Sequence, residues 1–301
     1  MPDTLKNMTN KHLVLQTDFG LQDGAVSSMH GVAYGVSNDI IVSDLTHGIA
    51  PFNIFEGSFR LFQTFSYWQA GTVFVSVVDP GVGSKRLSIV AKTISGQYIV
   101  TPDNGTLSHL LSHHLIESAR VINETTQRLP GSEKSSTFHG RDIYAFNGAQ
   151  LASGKTHYDD YGQTLAPDDL VKLPIQPGRY QENTAGQPQL VGNIDITDVN
   201  FGSLWSNIPL NEFEKLQLSY GDVLRVQIKN QGHMLFDELL PYVHTFNDVN
   251  PGEALIYINS VYTVALGVHT GSFEQSYHVG AGPDWQVTLT KTVQKVGEDN
   301  E

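Results

Sequence analysis

Thr72–Gly81 reads TVFVSVVDPG, a β-branched and aromatic run of buried-strand length that breaks at once on an acidic residue, a proline and a glycine. Leu13–Gly20, LVLQTDFG, has the same form, and Ile40–His47, IIVSDLTH, reads as a further strand. Segments of helical period lie between them. Val26, Met29, Val32, Ala33 and Val36 share one helix face; Phe55, Phe59 and Phe62 share another, with Gly71 as the stop signal. This alternation, from Leu13 to about Ala152, predicts an α/β domain. LSIVAKTISGQYIVTPDNG, residues 87–105, reads as two strands joined by a Ser-Gly-Gln turn, so the central sheet is expected to be mixed and mainly parallel. Helices near Leu107–His113 and Ile143–Ala152 complete the domain.

Between Pro174 and Gln189 the chain turns to PIQPGRYQENTAGQPQ, the composition of an exposed connection. Beyond it the helical period fades. LVGNIDITDV, DVLRVQIK, ALIYINS, YTVALGV and WQVTLTK are short strands separated by turn residues, the pattern of a smaller antiparallel barrel or sandwich. The expected organisation is a disordered polar tail over residues 1–12, an α/β catalytic domain over 13–175, a linker over 176–189 and a β-rich domain over 190–301.

With 18 Lys and Arg against 31 Asp and Glu, the formal net charge of −13 opposes binding to nucleic acid or anionic membranes. The absence of cysteine excludes disulfides, thiolate metal sites and a cysteine nucleophile, and fits a reducing compartment. The first residues lack the apolar stretch of a secretory signal, and no later run approaches the roughly 20 apolar residues of a membrane helix. A soluble, cytoplasmic protein is expected.

Three acidic residues stand just past strands: Asp18 in TDFG, Asp79 in VVDPG and Asp103 in PDNG. Because open α/β sheets bind ligands at strand carboxyl ends, their recurrence predicts a polar cleft along one sheet edge. In VVDPGVGSKR and TFHGRD, Asp79, Arg86 and His139 supply a carboxylate, a guanidinium and an imidazole beside glycines that admit a ligand to the backbone. Brought together, they could bind and activate a water molecule without a metal, and an enzyme is the leading reading. The fragments DFG and HGRD occur in the wrong order for a kinase, and PGVGSK lacks phosphate-loop spacing. His109 and His113, four apart on a helix with His114 adjacent, have a zinc-compatible spacing but no third ligand nearby, so a solvated surface pair is expected and no metal site is assigned. Trp205 and Phe246 sit in polar, turn-like sequence and could flank a planar ligand.

Together, TDFG with Asp23 following, SDLTH, VVDPGVGSKR, TPDNG, STFHGRD, DVNFGSLWSNI and YINS resemble the S-adenosyl-L-methionine (SAM) hydroxide adenosyltransferase family, the adenosine-forming relatives of the fluorinase and chlorinase enzymes. The resemblance runs from about Leu13 to Val279. It implies an amino-terminal α/β domain, a carboxyl-terminal β-barrel, and a homotrimer holding substrate between one subunit's first domain and its neighbour's second. It further implies hydrolysis of SAM to adenosine and L-methionine, with no cofactor. The Asp-Arg-His triad carries over to Asp79, Arg86 and His139, and the ribose-binding carboxylate to Asp18. Asp198, helped by Ser260, carries over to the methionine amino group. Phe52, Phe201, Trp205 and Phe246 would line the substrate, with Asn53 and Asp23 as further candidates. Ser203 and His269 occupy adenine-edge positions where relatives often carry Asn, and Val261 follows NS where a polar residue is common. The resemblance leaves two other outcomes: a halogenase, against which stand the charged Asp79 and Gly140 in place of the fluorinase's halide-binding serine, and a non-catalytic adenosine or SAM sensor.

Overall fold

The computed structural model describes residues 11–295 and divides the chain into two compact units, Met1–Leu173 and Pro174–Glu301. In the first, the order is β1 (His12–Thr17), α1 (Ala25–Val36), β2 (Ile41–Thr46), α2 (Ile54–Phe65), β3 (Val73–Val77), β4 (Ser88–Thr93), β5 (Tyr98–Pro102), α3 (Ser108–Ser112) and β6 (Ile116–Val121). A π-helical turn, Gly140–Ala145, then runs into α4 (Phe146–Ala152), and β7 (Thr164–Leu165) closes the unit. The seven strands lie in the order β2-β1-β3-β5-β4-β6-β7. β2, β1, β3 and β5 run parallel; β4, β6 and β7 continue the sheet antiparallel.

Alternation along the strands sorts side chains to the two faces. Leu13 and Leu15 of β1 and Val73, Val75 and Val77 of β3 join Met29, Ala33, Ile143 and Ala149 on one side; Val14 and Phe74 join Leu61, Phe65, Ile99 and Leu110 on the other. Each side chain of this size, fully buried, contributes about 1.5–3 kcal/mol. Helix α2 starts where it does because Asn53 caps it, its side chain accepting from Glu56 N. The chain moves from β1 outward to β2 and then crosses to β3 on the other side of β1. That reversal opens a crevice at the carboxyl ends of β1 and β3, where Asp18 and Asp79 follow.

The second unit contains β8 (Arg179–Glu182), β9 (Pro188–Thr197), β10 (Leu204–Pro209), α5 (Leu210–Phe213), β11 (Asp222–Asn230), β12 (His233–Pro241), β13 (Ala254–Ile258), β14 (Thr263–Val268), α6 (Phe273–Tyr277) and β15 (Trp285–Lys295). Its strands pair antiparallel in the order β12-β11-β15-β9-β10-β14-β13, with β8 on β9. A bridge between Tyr242 and Ile256 brings the two ends of this path together, and Val243 N donates to Ile256 O at 3.0 Å. The sheet is thereby nearly closed into a barrel around Leu190, Ile194, Leu224, Val226, Ile228 and Leu289.

Two boundary expectations are corrected. His12, assigned to the tail, opens β1; residues 1–10 of that tail lie outside the described residues. The stretch 176–189, read as a linker, belongs to the second unit: Arg179–Glu182 pairs with β9, and Asn183 Oδ1 accepts from Ala185 N and Gln187 N to make the turn of a hairpin. The polar composition marks an edge strand and its turn. Among the described residues no helix is long and apolar enough to cross a membrane.

Candidate active site

Asp18 stands one residue past β1. Its Oδ2 accepts from Phe52 N at 2.8 Å, a contact made possible by a left-handed backbone at Phe52, φ 68°. That conformation is uncommon for a bulky residue and leaves the ring exposed. Asn53, next in the chain, is the helix cap already described, and Asp23 Oδ1 accepts from Ala25 N at the start of α1. Asp103, the third strand-end acid, is a fastening: its Oδ1 accepts from Val171 N at 2.9 Å, and burial raises its carboxyl group although that bond lowers it.

Asp79, Arg86 and His139 meet. The loop after β3 turns back through bonds from Val82 N to Asp79 O and from Ser84 N to Gly81 O, which returns Arg86 over Asp79. Arg86 Nε donates to both Asp79 oxygens at 3.0 and 2.9 Å, and Nη2 reaches Oδ2 at 2.5 Å. Nη2 also lies 3.1 Å from His139 Nδ1. Because a guanidinium has no acceptor, Nδ1 must be the acceptor, which puts the ring proton on Nε2. That Nε2 is buried with no hydrogen-bond partner. The three side chains are 4%, 8% and 3% exposed. Burial holds the imidazole below its ordinary pKa, with Glu124 opposing and Arg86 adding to the effect. Burial also works to lower Arg86, but the bonds to Asp79 and Glu124 prevail and its pKa is raised.

Sequence reasoning missed three members of this cluster. Glu124 Oε1 accepts from Arg86 Nη1 at 3.0 Å and from Ser88 Oγ at 2.5 Å, and Ser88 Oγ lies 2.9 Å from the Tyr144 hydroxyl. Arg86 packs over the Tyr144 ring, 5.6 Å from its centroid. Glu124 sits beyond β6 in INET, a strand-end acid without the glycines that drew notice to the others; Tyr144 sits in an apolar run that reads as core.

Of the two histidines read as a solvated pair, His113 is exposed and His109 is not. His109 is buried with Nδ1 2.9 Å from Ser58 Oγ, and His113 stacks on Phe62 at 4.5 Å. The short α3 packs on α2, so His109 faces aromatic side chains rather than water, while His113, just past the helix, stays exposed with one ring face on Phe62.

In the second unit a cavity of about 610 Å³, within the usual size for small-ligand sites, is lined by Asp198, Phe201, Ser203, Phe246, Tyr257 and Gln275 among others. Asp198 Oδ1 accepts from Asn200 N and Phe201 N, folding the turn between β9 and β10 and leaving the Phe201 ring exposed. Phe246 packs edge-on to Tyr257 at 5.0 Å and lies across Gly267, where any Cβ would come within 2.8 Å of the ring. Trp205 is beneath this surface, Nε1 donating to Tyr257 OH at 3.2 Å. Tyr257, to which the sequence motif YINS assigns no role, also lines the cavity, and burial raises its phenol pKa. Ser260 and His269 do not line the cavity. Ser260 is exposed in the turn that Asn259 Oδ1 holds by accepting from Val261 N and Thr263 N. His269 Nδ1 lies 2.8 Å from Val249 O, to which it donates, which engages that ring edge with backbone.

Residues 13–162 match the SAM hydroxide adenosyltransferase N-terminal domain and residues 192–286 the SAM hydroxide adenosyltransferase C-terminal domain. The (R)-S-adenosyl-L-methionine hydrolase of Salinispora tropica is 33% identical over 90% of this chain and 95% of its own length. The fluorinase of an Actinoplanes species is 28% identical over 94% of this chain and 98% of its own. Among solved structures, an uncharacterised conserved protein from Thermotoga maritima is similar with a TM-score of 0.81 and 29% identity, covering 92% of this chain and 99% of that one.

Proposed function

The chain belongs to the SAM hydroxide adenosyltransferase family, and from that premise we propose that it hydrolyses SAM at the ribose C5′ to give adenosine and L-methionine. The observation that carries the reading is the convergence of Asp79, Arg86 and His139 in a buried cluster beside the crevice at the ends of β1 and β3. In the proposed step a water oxygen attacks C5′, the C5′–S bond breaks, and its electron pair goes to sulfur. The sulfonium leaves as a neutral thioether, so no group has to protonate it. The water must lose a proton.

Asp79 is the acceptor in this scheme, its carboxylate held in place by the Arg86 fork. Positive charge on Arg86 favours hydroxide character in the attacking water. With Nδ1 engaged by Arg86, His139 offers its Nε2–H as a donor, which suits it to orient the water oxygen. Asp18 would accept from the ribose hydroxyls. Phe52, Asn53 and Asp23 would shape that end, and Asp198 would hold the methionine amino group. Phe201, Ser203 and Phe246, backed by Trp205, would serve the adenosine and methionine portions. The reaction calls on no Lewis acid, so chelator-treated protein should keep its activity.

A chloride or fluoride nucleophile fits less well. A halide would approach the Asp79 carboxylate, and a serine at position 140 would put its Cβ 2.8 Å from Phe19 Cζ. The names of several relatives specify (R)-SAM, and the (R) sulfonium is the proposed substrate. The homotrimer, with substrate held between one subunit's first unit and its neighbour's second, is part of the same proposal, and light scattering would give its mass. Purified protein incubated with the two SAM epimers separately should release adenosine and methionine in equal amounts from the (R) sulfonium, detected by chromatography. Absence of adenosine, or 5′-chloro-5′-deoxyadenosine as main product in chloride buffer, would overturn the reading.

A further inference from the structure

Among the described residues, one group of metal-competent side chains gathers outside the Asp79 cluster: His30 on α1, Asp44 on β2 and His47 just past β2, with one ligand atom from each within 4.8 Å of the others. His30 Nε2 lies 2.8 Å and His47 Nε2 3.1 Å from the same atom, Asp44 Oδ1. Two imidazoles and a carboxylate form a donor set suited to first-row transition metals, and roughly 3.4 Å is the donor spacing around a tetrahedral ion with bonds near 2.1 Å. The three donors need only open slightly to admit one.

The surroundings hold the donors in place. Parallel pairing of Leu15 with Asp44 fixes the carboxylate's place on β2, and Gly20 N donates to His47 O at 2.8 Å. His47 Nδ1 lies 2.8 Å from Thr17 Oγ1, the outer-shell bond that aims the opposite nitrogen of a metal-binding histidine. That opposite nitrogen, Nε2, is the telling atom. The His47 side chain is 2% exposed, and its Nε2, though near Asp44, makes no aligned hydrogen bond. His30 and Asp44 are 29% and 40% exposed, which leaves an entry path and room for water in the remaining positions.

We propose that His30, Asp44 and His47 bind one divalent transition-metal ion of zinc-like preference, completed by water. Bound there, it ties α1 to the end of β2 and to the segment leading to Phe52, whose N–H holds Asp18. The three donors include none of Asp79, Arg86 and His139, and metal binding is measured without turnover, so the site stands or falls independently of the hydrolytic reading.

The test uses untagged full-length protein freed of metal by chelator and dialysis, titrated with zinc in a calorimeter and with cobalt by visible absorption. One equivalent should bind, with a cobalt ligand-field band and a rise in melting temperature. His30→Ala and Asp44→Asn should each weaken zinc binding by about 100-fold or more, and Thr17→Val by about 10-fold, as for loss of outer-shell support. His233→Ala, on a β12 residue remote in sequence, should change nothing. His30 is a half-exposed helix residue, and unchanged melting of its metal-free variant would confirm that folding is intact. No saturable binding at millimolar metal, or binding that survives both His30→Ala and Asp44→Asn, would overturn the proposal.

Discussion

Asp79→Asn separates the chemistry of the cluster from its architecture. Asp79 accepts three bonds from Arg86, at 3.0, 2.9 and 2.5 Å. An asparagine keeps one acceptor oxygen and sets its amide N–H against a guanidinium that can only donate. Arg86 retains Glu124 at 3.0 Å, so the loss falls at the low end for a broken buried pair, about 3 kcal/mol. At ~2–4 °C per kcal/mol for a unit of this size, the melting temperature should fall by roughly 6–12 °C. Activity should fall much further. Without the proton acceptor, adenosine release should drop by ~10²–10⁴-fold while calorimetry still detects SAM binding, because Asp18 and the Asp198 cavity are untouched. Adenosine release within about tenfold of the parent would refute the assignment, since that exceeds what loss of a general base permits. Loss of activity together with loss of SAM binding would refute it too, by making Asp79 a structural residue of the binding site.

Three further outcomes follow from the same geometry. Glu124→Gln should lower kcat roughly tenfold, about 1.4 kcal/mol, with KM nearly unchanged, because Glu124 acts through Arg86 and Ser88 rather than on substrate; steady-state kinetics would check the split. Gly140→Ser should impair activity by driving Cβ into Phe19 without producing halogenated nucleoside, whereas Phe19→Ala in the same chain should relieve the clash; product chromatography and melting curves read both effects. Because burial lowers the His139 pKa, the unfolded chain binds more protons than the folded one below pH 6.5, so stability is full above that value and declines as pH falls toward the folded pKa. Denaturant unfolding across that window should show the slope, and His139→Gln should reduce it.

What could be read in advance followed the strength of the local signal. β1 and β3 are apolar along their whole length because both faces are covered, and α1 repeats its apolar residues at helical spacing. β12 escaped notice because only Phe236 and Leu240 are buried, four apart, while Met234, Leu235 and Leu239 face outward and blur the alternation. β10 hid inside the FGSLWSN motif, where the aromatic and polar residues read as a loop. Within the site, Asp79 and Arg86 are seven apart on one loop, but His139 is 53 residues beyond Arg86, and only the family resemblance joined them. Glu124 needed the antiparallel register of β4 and β6, where Ile89 pairs with Val121, to bring it beside Ser88. No local pattern carries that information.

In the proposed reaction, the charge of the assembled cluster would supply selectivity. Asp79 and Glu124 contribute two negative charges, Arg86 one positive, and His139, with its lowered pKa, none, for a formal total of −1. A cationic sulfonium is favoured beside such a cluster, whereas an anionic nucleophile would have to enter against it in a poorly screened site. Water avoids that penalty: it enters neutral, and negative charge develops on its oxygen only as the proton passes to a carboxylate already in place. In that step the sulfonium charge would disappear as the C5′–S bond breaks, and the attraction that drew SAM in would no longer retain methionine or adenosine. On the proposed mechanism the acidic surroundings would act on the substrate's charge at entry and release the products once that charge is gone, so hydroxide transfer would follow from the electrostatics of the cluster as much as from the identity of any one residue.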